Sequence, residues 1–300
     1  AGGPSLTMES FFQLFLDGVS VGLLYGISAI GFILIYRSYG LLNFAHGGMM
    51  GFGEFLFFAL SAWANWPVII AFTVTLVCSF ILGLILEKWI IRPVFGRKNL
   101  IHYILITLGL ALMLKSVLSF LFGNNNHHLT VFVSHAFSPG WFNLQFTSFH
   151  IIALTAGIVV LLLYRFFFAF SPQGISMRAF AENRPAAQAL GIPVKRILAM
   201  SWAISALLCA ITGILLGMMN GPTADSLSVA GLKVFPVIVL GGINSIGGAI
   251  IGGMMIGLLE TFVGPYVSPP LQNLLPYMAL VLILFIKPSG FLGDRDFKKG

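Results

Sequence analysis

One apolar stretch of this sequence, GLLNFAHGGMMGFGEFLFFAL, carries three polar side chains: Asn43, His46 and Glu54. An imidazole and a carboxyl are the groups that most often move protons in proteins. Inside a membrane such groups are costly and usually have a purpose. At about 100° per residue, Asn43, Gly47, Met50, Gly51 and Glu54 fall on one broad helical stripe. A stripe of glycines ending in a carboxyl must face protein or water rather than lipid. Two readings follow. Asn43, His46, Gly47, Met50, Gly51 and Glu54 line a translocation path, or they form a structural helix contact with Glu54 neutral or paired. His46 reads as a proton relay or as a hydrogen-bonded buried imidazole. Catalysis would need a nucleophile with its base, or a metal set. His46 and Glu54 lie about 80° apart on a helix, so they do not make one.

Other chemistry is sparse. Lys115 and Glu260 lie in further apolar runs and can snorkel to an interface. A Lys115–Glu54 ion pair is one further possibility. Asp17 reads as interfacial. Asn220, Asp225 and Lys233 flank an outer loop that meets a delivered ligand or simply solvent. His127, His128, His135 and His150 lie on or near another outer loop. No HExxH or CxxC spacing accompanies them, so no metal is expected. A phosphate-binding loop needs GxxxxGK[ST], and the chain has no Gly-Lys dipeptide. No segment between the apolar runs has room for a nucleotide-binding domain. Any ATP-driven work belongs to another polypeptide, and no cofactor is expected on this chain.

Lipid must be the solvent for the elements that hold these groups. The chain has 300 residues, 58% hydrophobic and 8% charged, where a soluble domain is about 25% charged. Its apolar runs are continuous and about 20 residues long, the signature of membrane helices rather than barrel strands. They fall near 11–35, 41–62, 67–86, 101–122, 149–170, 197–219, 233–242, 246–263 and 272–287. Cys78 and Cys209 sit inside runs and imply no disulfide framework. The net charge of +7 reads as basic cytoplasmic loops rather than nucleic-acid binding.

Those loops set the orientation. Lys88, Arg92, Arg97 and Lys98 mark one inner loop. Arg178, Arg184, Lys195 and Arg196 mark a second, and Arg295, Lys298 and Lys299 lie in the tail. Residues 123–148 contain neither Lys or Arg and read as outside. The expectation is an all-α polytopic membrane protein with about eight full-length spans and one short one at 233–242, amino terminus out and carboxyl terminus in. Residues 1–7 read as a non-native leader, 8–293 as one transmembrane domain and 294–300 as a cytoplasmic tail. No basic segment precedes the first run, so no cleaved signal peptide is expected. In 246–263, Ala249, Gly253 and Gly257 recur every four residues beside a parallel ridge of Gly248 and Gly252. Small residues at that spacing let helices approach closely in lipid.

The inner loop 171–196, SPQGISMRAFAENRPAAQALGIPVKR, is punctuated at both ends. Asn183 suits an N-cap, Arg184 and Pro185 open a first turn, and Gly191 suits the position after a helix end. A two-turn helix is too short to stand alone. It is either a docking helix, with Arg178, Glu182 and Arg184 around its rim, or a solvated amphipathic loop.

Three stretches, GLLYGISAIGFILIYRSYGLLNFAHGGMMGFGEF, RAFAENRPAAQALGIPVKRI and FPVIVLGGINSIGGAIIGGMMIGLLE, resemble the permease family of branched-chain amino acid ABC importers. The resemblance spans residues 9–293 and is closer to LivH-type than to LivM-type subunits. It implies a non-catalytic subunit of a bacterial inner-membrane transporter that works by alternating access. It also implies a LivM-like second permease in a heterodimer, two cytosolic ATPases that hold ATP and Mg, and an extracytoplasmic substrate-binding protein. Ala186, Ala187, Leu190 and Gly191 would then belong to a coupling helix seated in an ATPase groove. Family members also carry urea, short amides and other amino acids. The competing reading is a stand-alone channel or secondary transporter for a small polar solute such as urea.

Overall fold

The computed structural model describes residues 8–94, 100–123, 147–220 and 224–293. Among them there are helices and no strands. In hydrocarbon a helix satisfies its own backbone, which is why apolar runs of this length adopt it. The first helix, α1 (Met8–Tyr39), has 32 residues and is about 48 Å long. That exceeds the hydrocarbon core of about 30 Å, so its ends emerge. Gly40 ends it with φ +75°, a left-handed conformation that suits glycine.

The second apolar run departs from its expected form. Residues 41–45 are not helical, and Asn43 Oδ1 accepts a hydrogen bond from Ala45 N at 3.0 Å. Such a side-chain bond competes with helix formation. The helix α2 (His46–Phe58) therefore starts late and has 13 residues, about 20 Å of rise. A π turn, Ala59–Trp63, extends it. The next helices are α3 (Val68–Leu86, prolonged by a π turn to Ile91), α4 (Leu100–Phe122) and α5 (Ser148–Phe170). Two short helices follow, α6 (Pro172–Glu182) and α7 (Arg184–Ala189). The chain closes with α8 (Val194–Asn220), α9 (Ala224–Gly241), α10 (Ile246–Tyr266) and α11 (Pro269–Ile286).

Among the described residues, seven helices are long and apolar enough to cross a membrane: α1, α3, α4, α5, α8, α10 and α11. Two shorter ones, α2 and α9, pack among them, α2 beginning beside Ser28 in the middle of α1. The Asn43 turn shortens the helix of the second run, which keeps it out of that set of seven. The helix at the seventh run is longer than its apolar letters suggest, since it begins at Ala224 and contains Lys233.

Glycine sets the packing. A Cβ on Gly257 would come within 2.5 Å of Gly22 Cα, and one on Gly253 within 2.6 Å of Gly26 N. These two glycines hold α10 against α1. Gly248 and Gly252 turn to α9, meeting the Gly241 and Val237 backbones. The two ridges of α10 therefore serve two different neighbours. Helices α1 and α8 are largely buried, while α3, α4, α5 and α11 expose most of their apolar surface.

One end of the bundle gathers the turn after α1, the turn between α9 and α10, residues 287–293 and α7. Arg37 donates to the Asn244 carbonyl, Phe291 N to Leu240 O at 2.7 Å, and Leu292 N to Gly241 O at 3.0 Å. Arg184 lies beside Gly40. At the other end, His150 Nε2 meets Asp17 Oδ1 at 2.5 Å. His127, His128 and His135, Arg97 and Lys98, and Arg295, Lys298 and Lys299 fall outside the described residues, as do the side chains of Asn220 and Asp225.

Candidate functional site

The stripe on α2 lies wholly inside the chain's own bundle. Every residue of α2 is buried except Phe52 and Leu56. A Cβ on Gly213 of α8 would run into Met50 O, one on Gly217 into the Glu54 carboxyl, and one on Gly231 of α9 into Gly47. Gly48 faces Leu114 of α4, and Gly51 is buried. Asn43 is buried too, but in the turn before the helix and off the stripe. Of the two readings, the helix contact fits this geometry. Within this chain Asn43, His46, Gly47, Met50, Gly51 and Glu54 are all buried.

His46 is held in place. Its Nε2 lies 2.8 Å from Ser28 Oγ and 3.0 Å from Ser28 O, with Cys209 Sγ at 3.3 Å and the Phe32 ring edge-on at 5.5 Å. Glu54 differs: neither carboxyl oxygen has a hydrogen-bond partner. The Lys115–Glu54 pair considered from sequence is therefore not formed. The spacing Gly18-Val19-Ser20-Val21-Gly22 matches a nucleophile elbow by letters alone. Ser20 sits within α1 with its hydroxyl donating to Leu16 O at 2.8 Å, whereas the elbow needs a sharp strand-to-helix turn. Among the described residues no three His, Cys, Asp or Glu side chains gather as a metal site.

Two polar clusters escaped the sequence reading. Lys233 Nζ of α9 lies 3.1 Å from Glu260 Oε1 of α10, and both side chains are buried. Tyr25 OH of α1 donates to Glu260 Oε2 at 3.0 Å, and Lys233 also donates to Asn273 Oδ1 of α11 at 3.0 Å. Glu260 does not snorkel, and Lys233 is buried rather than at the rim of an outer loop; the two are paired among α1, α9, α10 and α11. The signal available was two opposite charges within runs, but their separation in sequence hid the pairing. The second cluster is at the α7 end. Arg92 grips Glu87 with Nε–Oε1 at 3.0 Å and Nη2–Oε2 at 2.5 Å, and Tyr39 OH donates to Glu87 Oε1 at 2.9 Å. The Glu87 hydrogen bonds hold the Arg92 guanidinium above its ordinary pKa. Arg92 also donates to the Lys195 carbonyl at 3.3 Å, tying α3 to the start of α8.

Between α5 and α8 the basic loop folds as two capped helices. Ser171 Oγ accepts from Gly174 N at 2.9 Å and Asn183 Oδ1 from Ala186 N at 3.0 Å. Gly191 adopts φ +78°, which a residue with a Cβ takes on only with strain. Arg178, Glu182, Ala186 and Gly191 are exposed, and Leu190 is 82% exposed. Arg184 is half-buried, its guanidinium 5.6 Å from the Phe180 ring, and desolvation lowers its pKa. Ala187 is 2% exposed and packs inward, so it has no face to offer a partner. This corrects its placement on a docking surface: its position on the six-residue helix turns it toward the bundle.

The family described as the permease component of branched-chain amino acid transport systems matches residues 14–284. The chain belongs to that family. Among its relatives, this permease is 30% identical to the high-affinity branched-chain amino acid transport system permease protein LivH of Escherichia coli K12, over 96% of this chain and 97% of that one. It is 27% identical to the corresponding protein BraD of Pseudomonas aeruginosa, over 96% and 98%. Among solved structures, a chain of PsaBC from Streptococcus pneumoniae in complex with Fab is similar, with TM-score 0.53 and 16% identity over 94% of both chains. At that identity the likeness speaks for the fold alone. The permease is thus an all-helical, multi-pass membrane protein.

Proposed function

We propose that this permease forms half of the pathway by which a bacterial ATP-binding-cassette importer takes up branched-chain or related amino acids across the inner membrane. The other half is a second, LivM-like permease. Two cytosolic ATPases supply the work and hold the ATP and Mg, and an extracytoplasmic binding protein delivers the substrate. This chain performs no chemistry of its own.

The observation that carries the reading is α7. It is a six-residue helix, capped at Asn183 and stopped at Gly191, that presents Ala186 and Leu190 to the exterior. A large exposed apolar side chain on so short a helix fits a surface awaiting a partner. Leu190, Ala186 and Gly191 form the contact, with Arg178, Glu182 and Arg184 around it. The Arg92 bond to the Lys195 carbonyl then passes a push on α7 to α3 and α8. The α7 end also carries Arg37, Lys88 and Arg92, which supports placing it in the cytoplasm, amino terminus out and carboxyl terminus in. Since α2 is enclosed, the substrate passes along the face shared with the second permease.

The test is reconstitution of the four-component assembly in liposomes with leucine, isoleucine and valine as competing substrates. Uptake is expected to need ATP and both permeases. Solute flux through this chain alone, without ATP, would make it a stand-alone channel instead.

A further inference from the structure

A groove of two characters runs along α8 as two hollows that adjoin at Met200. Its upper part, about 250 Å³, lies between α3 and α5 over Ile204, Leu207 and Ile211, with Phe80, Leu163 and Phe167 as walls. Its lower part, about 240 Å³, runs beneath α6 past Gln173, Ser176 and Arg196. Met200 lines both. The upper part is apolar. No acidic residue lines either part, and Arg196 is the one charged residue that does. Among the described residues its guanidinium has no hydrogen-bond or ion-pair partner.

The dimensions match one membrane leaflet. From Arg196 to Ile211 the α8 stripe rises about 22 Å, and from Met200 to Ile211 about 16 Å. Half a bilayer is about 20–22 Å with headgroups, of which about 15 Å is hydrocarbon. The change from apolar to basic therefore falls at the depth where an acyl chain gives way to a phosphate. An arginine fork suits phosphate oxygens, and basic pockets between membrane helices on the cytoplasmic side bind anionic headgroups.

We infer that this groove holds one anionic phospholipid of the cytoplasmic leaflet, with an acyl chain between α3 and α5 and its phosphate on Arg196, directly beside the helices that receive the ATPase. The leaflet assignment rests on the orientation proposed above. The bound lipid would brace α6 against α8, where Met177 and Ile197 are buried together with the groove floor.

The experiment uses the purified four-component transporter, stripped of lipid and then offered dioleoylphosphatidylglycerol or dioleoylphosphatidylcholine, with retention counted by native mass spectrometry. The wild type is expected to retain the anionic lipid preferentially. Arg196→Gln should lower that retention about tenfold, the loss of one charge-assisted contact, and leave phosphatidylcholine retention unchanged. Leu207→Trp should exclude both lipids by filling the upper groove. Size-exclusion profiles check assembly, and Ile204→Phe replaces Leu207→Trp if that variant does not assemble. Equal retention by wild type and both variants overturns the inference. So does a Leu207→Cys cross-link to the second permease in an assembly that keeps no lipid. Displacement by inorganic phosphate with no effect of Leu207→Trp would reduce the site to a simple anion site and also overturn it. Labelling of Arg196→Cys from outside by an impermeant maleimide would overturn the orientation and the leaflet, while the lipid comparison would be decided by its own arms.

Discussion

Two of the short helices in this permease, α2 and α7, satisfy their surfaces in opposite ways. α2 has 13 residues and is buried almost all round. α7 has six and buries only Ala187. α2 lies against glycines on α8 and α9, which come so close that no side chain would fit between the backbones. The neighbours that bury it lie within the chain. α7 keeps its ends satisfied by Asn183 and Gly191 but leaves Leu190 uncovered. Among the described residues nothing covers it. A short element thus marks either the most self-contained part of the molecule or the least, and burial tells which.

The comparison can be broken or sharpened by mutation. The largest effect is expected at Gly213, whose Cβ would strike the Met50 carbonyl. Backbone cannot move aside as a side chain does, so Gly213→Leu should abolish folded permease in detergent-extracted membranes. Recovery of wild-type yield would mean α2 is loosely held. Next comes the paired carboxylate of the same bundle. Glu260→Leu alone strands Lys233 and should cost about 3–5 kcal/mol, whereas Glu260→Leu with Lys233→Met should recover most of that. Thermal unfolding of the two variants in detergent reads the difference, and equal losses would deny the pairing. Glu54→Gln, which breaks no hydrogen bond, should stay well above Glu260→Leu in the same assay.

On α7 the expected signature is reversed. Leu190→Glu should leave thermal stability within about 0.5 kcal/mol of wild type while ATPase co-purification and amino-acid uptake fall about tenfold. A stable variant that still transports normally would remove α7 from coupling. The smallest effect is expected at the cap. Asn183→Ala should weaken the local helix by about 1 kcal/mol, lowering uptake a few-fold with no change in global unfolding, and Asn183→Asp should restore it.

Much of this was legible in the letters. Apolar runs located the long helices, since hydrocarbon leaves the backbone no other partner. The Asn-Pro-Gly punctuation of 183–191 located α7 to within a residue, because caps are local chemistry. The Gly248/Gly252 and Gly253/Gly257 ridges could be read as packing surfaces, but not which helix each would meet. The Asn43 turn was missed because a run of apolar letters looks the same whether or not one side chain captures the backbone. The direction of Ala187 was missed for a related reason: two turns of alanines have no periodicity to say which side faces in.

The sequence by itself determined that this chain lives in lipid, that its helices pack through glycine, and that it carries a capped helix but no ATP-binding loop. Each of these follows from composition or from contacts within a few residues. Only the tertiary structure decided that Glu260 meets Lys233 across 27 positions of sequence while the Glu54 carboxyl packs on Gly217 without a hydrogen bond, that α2 is buried within the chain, and that Arg196 ends an apolar groove. Those outcomes depend on which helix lies beside which. In a membrane every helix is apolar on most sides, so hydrophobic pattern cannot choose the neighbour; close backbone approach does, and it exists only once the bundle is assembled.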